Sequence, residues 1–325
     1  MAAPMNSELL DVLSHWPLAP ITSIDRATSG VMNENFIVTT HEGPVVLRRH
    51  RRTQRDLVEL EHRVIAHARA NGVPAPAAIE TSAGEVIIDR DGVFYSLFAF
   101  ARVRQLTKEQ ITGESARSMG VTLAVIHQAL VDCPGPAPRG AGAASTSTDH
   151  VVATVRALLR RIDQETDPTE QDGWARDHLT SKLRWLETAT PVERLEPPQT
   201  AVQMIHGDYQ ETNLFFEDDH VVDVIDWDKA EVRWPVDEIL RTMDLSLRLD
   251  PSWCAALLDG YRSRQELTAD DLDLAANNYG YSQVHDHWLF EGIYVRNDER
   301  LRIFLEPGPF IPFSDRWGRL RRTVK

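Results

Sequence analysis

Long apolar runs are missing from this sequence: no stretch reaches the roughly 18 apolar residues that a membrane-spanning helix needs, and no basic segment followed by an apolar run opens the chain. No membrane partner is expected, and the chain reads as soluble and cytoplasmic. Cysteine is nearly absent. Cys133 and Cys254 stand alone in no ligand spacing, which argues against a disulfide framework or a structural zinc and favours a reducing compartment. Positive charge is in deficit, with 35 Lys and Arg against 49 Asp and Glu and a net charge of −14. Nucleic acid is therefore not expected as a partner, because neutralising its phosphates takes clustered Lys and Arg. A neutral or cationic small molecule is compatible with the acidity, which also serves solubility. The basic stretch 316–325 is short and is expected to pack or to be solvated. Internal repeats are lacking as well, and 325 residues exceed a typical single core, so two lobes meeting at a cleft are expected, in a monomer or homodimer.

What is present is concentrated between residues 206 and 226. His206-Gly207-Asp208 is followed by Asn213 five residues after the Asp, and then by Asp226 in Val-Ile-Asp-Trp-Asp. Phosphoryl transfer needs a carboxylate to orient the attacking hydroxyl and accept its proton. It also needs a carboxamide and a second carboxylate to hold Mg2+ against nucleotide phosphates. The local pattern supports that geometry: apolar strands over 200–205 and 213–217, a turn at 218–220, and an antiparallel return over 221–225 that brings Asp226 back beside Asn213. Taken singly, each of the three reads more simply as a turn or strand-end residue. Taken together, in this order and spacing, they point to a hard-cation site with oxygen ligands.

These residues resemble the aminoglycoside phosphotransferase-like kinases, a family that includes choline and homoserine kinases and a few protein kinases. His-Gly-Asp in place of His-Arg-Asp resembles the small-molecule branch. The resemblance implies an α+β, protein-kinase-like two-lobe fold, with a small antiparallel-sheet lobe over 1–101 that binds nucleotide and a larger, mostly helical lobe over 102–325 that carries catalysis and the acceptor. It implies ATP and Mg2+ as cofactors, Asp208 as catalytic base, Asn213 and Asp226 as metal ligands, and His206 as a support of the loop. Asp237 is expected to stabilise the catalytic loop, and Asp228 to be solvated or to stand behind the metal. Gln210 departs from the family's frequent basic or His residue two positions after the catalytic Asp.

In the first hundred residues, Gly30 and Asn33, ahead of an alternating strand, resemble the family's phosphate-covering loop, in the Gly-x-x-Asn-x-Asn-aromatic form of homoserine-kinase-like members. A plain hairpin turn is the competing reading, since the loop has one glycine rather than three. After the turn 41–43, the strand 44–49 carries Arg48 where the fold keeps its phosphate-binding Lys, with Arg49 as the alternative by one register step. The amphipathic spacing of Leu57, Leu60, Val64, Ile65 and Ala68 predicts a helix over 56–71. Glu61 lies beside its apolar stripe, and by resemblance pairs with Arg48. Strands over 85–89 and 93–100 flank Asp91-Gly92, a hairpin signal. Phe98 and Phe100 fall in the expected interlobe hinge, where backbone groups meet the purine.

Further helices are expected over 115–130, 151–162, 173–187, 235–247, 252–263 and 269–290, with a Pro-, Gly- and Ser-rich loop over 133–148. His127 matches a family His that packs structurally, and the helices after 235 are expected to form the acceptor pocket. His285 and His287 are two apart and so face different ways on a helix, which disfavours a shared metal. A packed His is the simpler reading; contact of Asp286, His287 or Glu291 with the acceptor is the other. The expected reaction is transfer of the ATP γ-phosphoryl to a hydroxyl of a small molecule such as homoserine, an aminoglycoside or a sugar. A serine/threonine protein kinase is the alternative.

Overall fold

The computed structural model describes the whole chain except residues 1–6, 28–32, 102, 137–146, 190–192, 196, 198–200 and 325. The expected loop over 133–148 and the residue Gly30 therefore fall partly or wholly outside the described residues.

The N-terminal half is an antiparallel sheet with helices on its two faces. Its strands are β1 (Ile21–Arg26), β2 (Glu34–Thr40), β3 (Gly43–Arg49), β4 (Ala78–Ile79), β5 (Ile88–Arg90) and β6 (Val93–Ala99). They run in the order β1-β2-β3-β6-β4, with β5 on β6. Helix α1 (Ser7–Leu13) was not read from the sequence; its Leu9, Val12 and Leu13, with Trp16, pack on Val38, Leu47, Tyr95 and Leu97. Side chains alternate across a strand, so if Leu47 faces α1 then Arg48 must face the other way. On that opposite side lies α2 (Arg55–Ala70), which buries Glu61 along with Val58, Leu60, Val64 and Ile65. The sheet thus settles the register in favour of Arg48, and Arg49 is left toward solvent beside Glu34. The β5–β6 turn has both Asp91 and Gly92 in the left-handed region, as its Asp-Gly pair predicts.

The rest is mainly helical: α3 (Gly113–Ala129), α4 (Thr148–Ile162), α5 (Glu170–Thr188), α6 (Pro235–Leu245), α7 (Pro251–Arg262), α8 (Ala269–His285), α9 (Trp288–Tyr294) and α10 (Phe313–Leu320). Two helices start earlier than expected because of reciprocal caps. Thr112 and Ser115 bond each other's backbone N–H at the head of α3, and Thr169 and Asp172 do so at α5. The main core joins α3, α6, α7 and α8 around Met119, Leu123, Ile239, Leu240, Met243 and Leu257. A second cluster joins α4, α5 and α9.

Three short strand pairs and breaks differ from expectation. The strand over 200–205 is described only as β7 (Gln203–Ile205), and it pairs with an unforeseen β10 (Glu231–Arg233). The hairpin of β8 (Leu214–Glu217) and β9 (His220–Val224) forms as read, except that Asn213 belongs to a preceding 3-10 turn, Glu211–Asn213. The expected helix over 269–290 is two helices. The ammonium of Lys182, buried on α5, bonds the carbonyls of Gln283 and Asp286 and lies 3.2 Å from His287 Nδ1, so it holds the last carbonyls of α8 in place of further helix. Asp286 Oδ1 then accepts the Trp288 N–H and starts α9. Burial pulls the Lys182 ammonium down to about 8. The basic stretch near 316–325 packs: Arg316 pairs with Asp244 and Arg321 with Asp273.

Candidate active site

The catalytic loop lies between β7 and β8 and is fastened to one face of α6. Residues three or four apart share a helix face, and Glu238, Arg241, Thr242 and the capping Ser246 all reach the loop. Glu238 accepts the Gly207 N–H at 2.5 Å, Arg241 donates to Asp208 at 2.5 Å, Thr242 donates to the Tyr209 carbonyl, and Ser246 accepts the Glu211 N–H. Gly207 is required at its position: its φ is +84°, and a Cβ would collide with the Lys229 carbonyl. The loop-stabilising carboxylate is thus Glu238, one residue beyond the expected Asp237. Burial alone would raise the Glu238 carboxyl, but His127, His206 and the Gly207 amide hold it below its ordinary value. His127 in turn bonds Glu238 at 3.0 Å and the Tyr261 hydroxyl at 2.9 Å, a fully buried chain that fits its expected structural role.

His206 is completely buried. Its Nδ1 accepts the Asp208 N–H at 3.2 Å and its Nε2 lies 3.0 Å from the Ile225 carbonyl, so both ring nitrogens have partners. It thereby ties the Asp208 loop to the segment that runs from β9 to Asp226. The Asn213 amide nitrogen donates to the Asp208 carbonyl at 2.8 Å, which leaves its carbonyl oxygen as the atom available to a ligand. Ile225 N–H donates to the Asn213 carbonyl at 2.9 Å, so the hairpin brings Asp226 beside Asn213. Asp226 is left-handed at φ 66°, a conformation that costs a non-glycine residue and concentrates at functional sites. Its Oδ1 is buried without a hydrogen-bond partner and lies 3.4 Å from Arg48 Nη1.

Arg48 Nη1 also meets Glu61 Oε1 at 2.7 Å, both side chains being nearly inaccessible. Burial drives the Glu61 carboxyl upward against the pull of Arg48, whereas Glu61, Asp226 and Asp228 outweigh burial and keep the guanidinium firmly charged. Arg48, Phe98, Phe100 and Asp226 line a cavity of about 600 Å³, closed by Val46 and Phe215 among others. Phe98 packs against both the Arg48 guanidinium and the His62 ring. Glu61 acts on this cavity only through Arg48. Asn33 is turned aside: its Nδ2 lies 3.5 Å from Asp228, whose backbone carbonyl also receives Arg52. Asp228 is therefore buried and bound by the first half of the chain rather than solvated.

Arg241 was not read as a site residue. A helical Arg four residues after Asp237 carries no local signal; only the packing of α6 beneath the loop puts it on Asp208. On the far side of Arg241 opens a cleft of about 170 Å³ between Gly207, Asp237, Tyr279, Gln283 and Asp286. His287 is buried against Lys182, in keeping with a packed histidine.

A base candidate and two oxygen donors at the end of a hairpin, the second of which lines a cavity of nucleotide size together with an ion-paired arginine, are the parts of a phosphoryl-transfer centre. The chain belongs to the phosphotransferase enzyme family, whose sequence profile matches residues 23–272. Among characterised relatives it resembles the homoserine kinase of Rhizobium meliloti, with 24% identity over 82% of this chain and 78% of that one. The homoserine kinase of Sinorhizobium fredii is 26% identical over 82% and 77%. The fold is similar to that of a spectinomycin phosphotransferase solved with ADP and spectinomycin, with a TM-score of 0.70, 13% identity and 93% of each chain covered. It is similar also to a microcompartment-associated aminopropanol kinase, with a TM-score of 0.61, 17% identity and 97% and 95% covered. The protein is a kinase with a protein-kinase-like fold. No described helix is long and apolar enough to cross a membrane.

Proposed function

We propose that this protein transfers the γ-phosphoryl of ATP to the hydroxyl of a small amino alcohol, homoserine foremost, in the cytoplasm. Residues 1–101 supply the nucleotide side and 102–325 the catalytic and acceptor side. The observation that carries the reading is the position of Asp208 between Asn213, on the nucleotide side, and Arg241, which opens onto the 170 Å³ cleft.

The residues present fit Mg2+. Asn213 and Asp226 offer one amide and one carboxylate oxygen, and the buried Oδ1 of Asp226 has no hydrogen-bond partner. No group of three His, Cys, Asp or Glu side chains converges among the described residues, so the ion's shell would be completed by phosphate and water oxygens, as Mg2+ prefers. Bound there, Mg2+ supplies neutralisation of phosphate charge. Arg48 positions the nucleotide phosphates, held in place by Glu61, while Phe98, Phe100 and the hinge backbone face the base. Asp208 accepts a hydrogen bond from the acceptor hydroxyl, aims its oxygen at the γ-phosphorus and takes its proton as the new P–O bond forms, while the bond from that phosphorus to the β,γ-bridging oxygen breaks and ADP leaves. Arg241 and Asn213 fix the carboxylate for that role. The contribution is mainly positioning and electrostatic.

The test is nucleotide consumption in the presence of Mg2+ across homoserine, other amino alcohols, sugars, aminoglycosides and a generic protein, with the product identified by phosphorus NMR. Turnover with homoserine or a similar amino alcohol is the expected result. Consumption accelerated only by a protein substrate would replace this reading with the protein-kinase alternative.

A further inference from the structure

The cleft beside Arg241 is small and carries both signs of charge. Its 170 Å³ suits a molecule of amino-acid size and is too small for an aminoglycoside. Most of its charges are already committed. Glu238 is taken by Gly207 and His127, and Arg233 is taken by Glu231 and by Oδ2 of Asp237. Two atoms are left over. Oδ1 of Asp237 and Nε of Arg241 are buried without a hydrogen-bond partner, one acceptor and one donor in the same wall. A buried polar atom left unmatched is destabilising, more so when charged, so the pair marks a place for complementary groups. Because Glu238 holds the catalytic loop, Asp237 is spared that role.

We propose that this cleft is the recognition site for a zwitterionic acceptor, in which Asp237 takes the ammonium group and the free edge of Arg241 takes the carboxylate. The inference rests on the function proposed above and specifies its substrate as an amino acid bearing a side-chain hydroxyl. Arg241 then serves two partners at once. One Nη2–H holds Asp208 and the remaining N–H groups bind the acceptor carboxylate, which sets the distance between that carboxylate and the hydroxyl that Asp208 receives. Asp286, at the rim of the cleft, adds negative charge on the ammonium side.

The experiment uses the whole protein saturated with Mg2+ and a non-hydrolysable ATP analogue for binding, and with ATP for turnover. The probes are homoserine, 3-aminopropanol, which lacks the carboxylate, and 4-hydroxybutyrate, which lacks the ammonium. Each single-charge probe is expected to bind the parent at least tenfold more weakly than homoserine. Asp237→Asn, which preserves size, is expected to weaken homoserine and 3-aminopropanol by about 10- to 10²-fold, the scale of a charge-assisted hydrogen bond, and to leave 4-hydroxybutyrate unchanged. A purely structural role for Asp237 would lower all three together. Asp286→Asn provides a second variant with the same direction and a smaller effect. Homoserine turnover that keeps the parent's KM in both variants overturns the subsite and leaves the proposed function standing. Charge-dependent homoserine binding without phosphorylation does the reverse. Failure of every amino alcohol to bind, with a sugar or aminoglycoside turned over instead, overturns both.

Discussion

Arg48–Glu61 and Arg241–Asp208 are the same two functional groups at nearly the same separation, 2.7 and 2.5 Å, one beside Asp226 and the other between α6 and the loop that carries Asp208. Their surroundings differ. The side chains of the first pair are 9% and 1% exposed, and those of the second are 38% and 15% exposed. A dry pair cannot trade partners with water, so it acts as a fixed part of the framework, and removing either member strands a charge. A half-wet pair contributes little to stability but keeps donors free for a ligand. On the proposed reading, the nucleotide side is built before its ligand arrives, whereas the acceptor side is held by a bond with spare valence.

The sharpest way to break this contrast is Glu61→Ala. It leaves the Arg48 guanidinium buried beside Asp226 and Asp228 alone, and unfolding by urea is expected to show a loss of roughly 3–5 kcal/mol. A loss below 1 kcal/mol would place the two pairs in the same class.

Next in size is Asp208→Asn. It keeps the shape and the bond from Arg241 but cannot take a proton, so turnover is expected to fall on the order of 10²-fold or more. Nucleotide affinity is expected to stay near the parent's, because the nucleotide side does not use this carboxylate. Loss of nucleotide binding together with activity would refute the division into two sides.

Arg241→Lys sharpens the same division with a smaller effect. A lysine keeps the charge but not the planar fork that spans Asp208 and the cleft. The expected outcome is a fall in turnover of about tenfold, with unfolding free energy within about 1 kcal/mol of the parent. A large stability loss here would mean that the pair belongs to the framework after all.

The contrast also explains which parts of the site could be read from the sequence. Asp208, Asn213 and Asp226 sit on one short loop and hairpin, so their geometry follows from local spacing. The pairing of Arg48 with Glu61 is implied by the family resemblance, with Arg49 open by one register step, and alternation along β3 together with the buried stripe of α2 decides between the two. Arg241 and Asp237 acquire their places only when α6 packs under the loop, a tertiary event with no signature in spacing. The exchange of Asp237 for Glu238 has the same origin, since neighbouring positions on a helix differ by about 100° and only the packed face decides which one meets Gly207. The break between α8 and α9 was hidden for a similar reason: it is set by Lys182, about a hundred residues away in sequence.

The smallest effect concerns two histidines, the buried His62 and the half-buried His178. Burial, aided by Arg48, lowers His62 to about 4, and burial, aided by Lys182, lowers His178 to about 4. His62 shares a hydrogen bond with Ser96, and His178 packs on Phe290 and Phe310. Both folded values lie below the ordinary 6.5, so the unfolded chain takes up protons first as the pH falls. Stability that is fully present above about 6.5 is lost progressively down to about 4. At pH 5.5 each ring is expected to cost about 1 kcal/mol relative to pH 7.5. His62→Gln and His178→Gln should each shrink the difference in unfolding free energy between those two pH values by about that amount. Equal shrinkage from the two variants is the expected result, because both rings are lowered to about 4. If only His62→Gln flattened the pH dependence, the region around Lys182 would have to admit water, and the packing assigned to the α8–α9 break would be wrong.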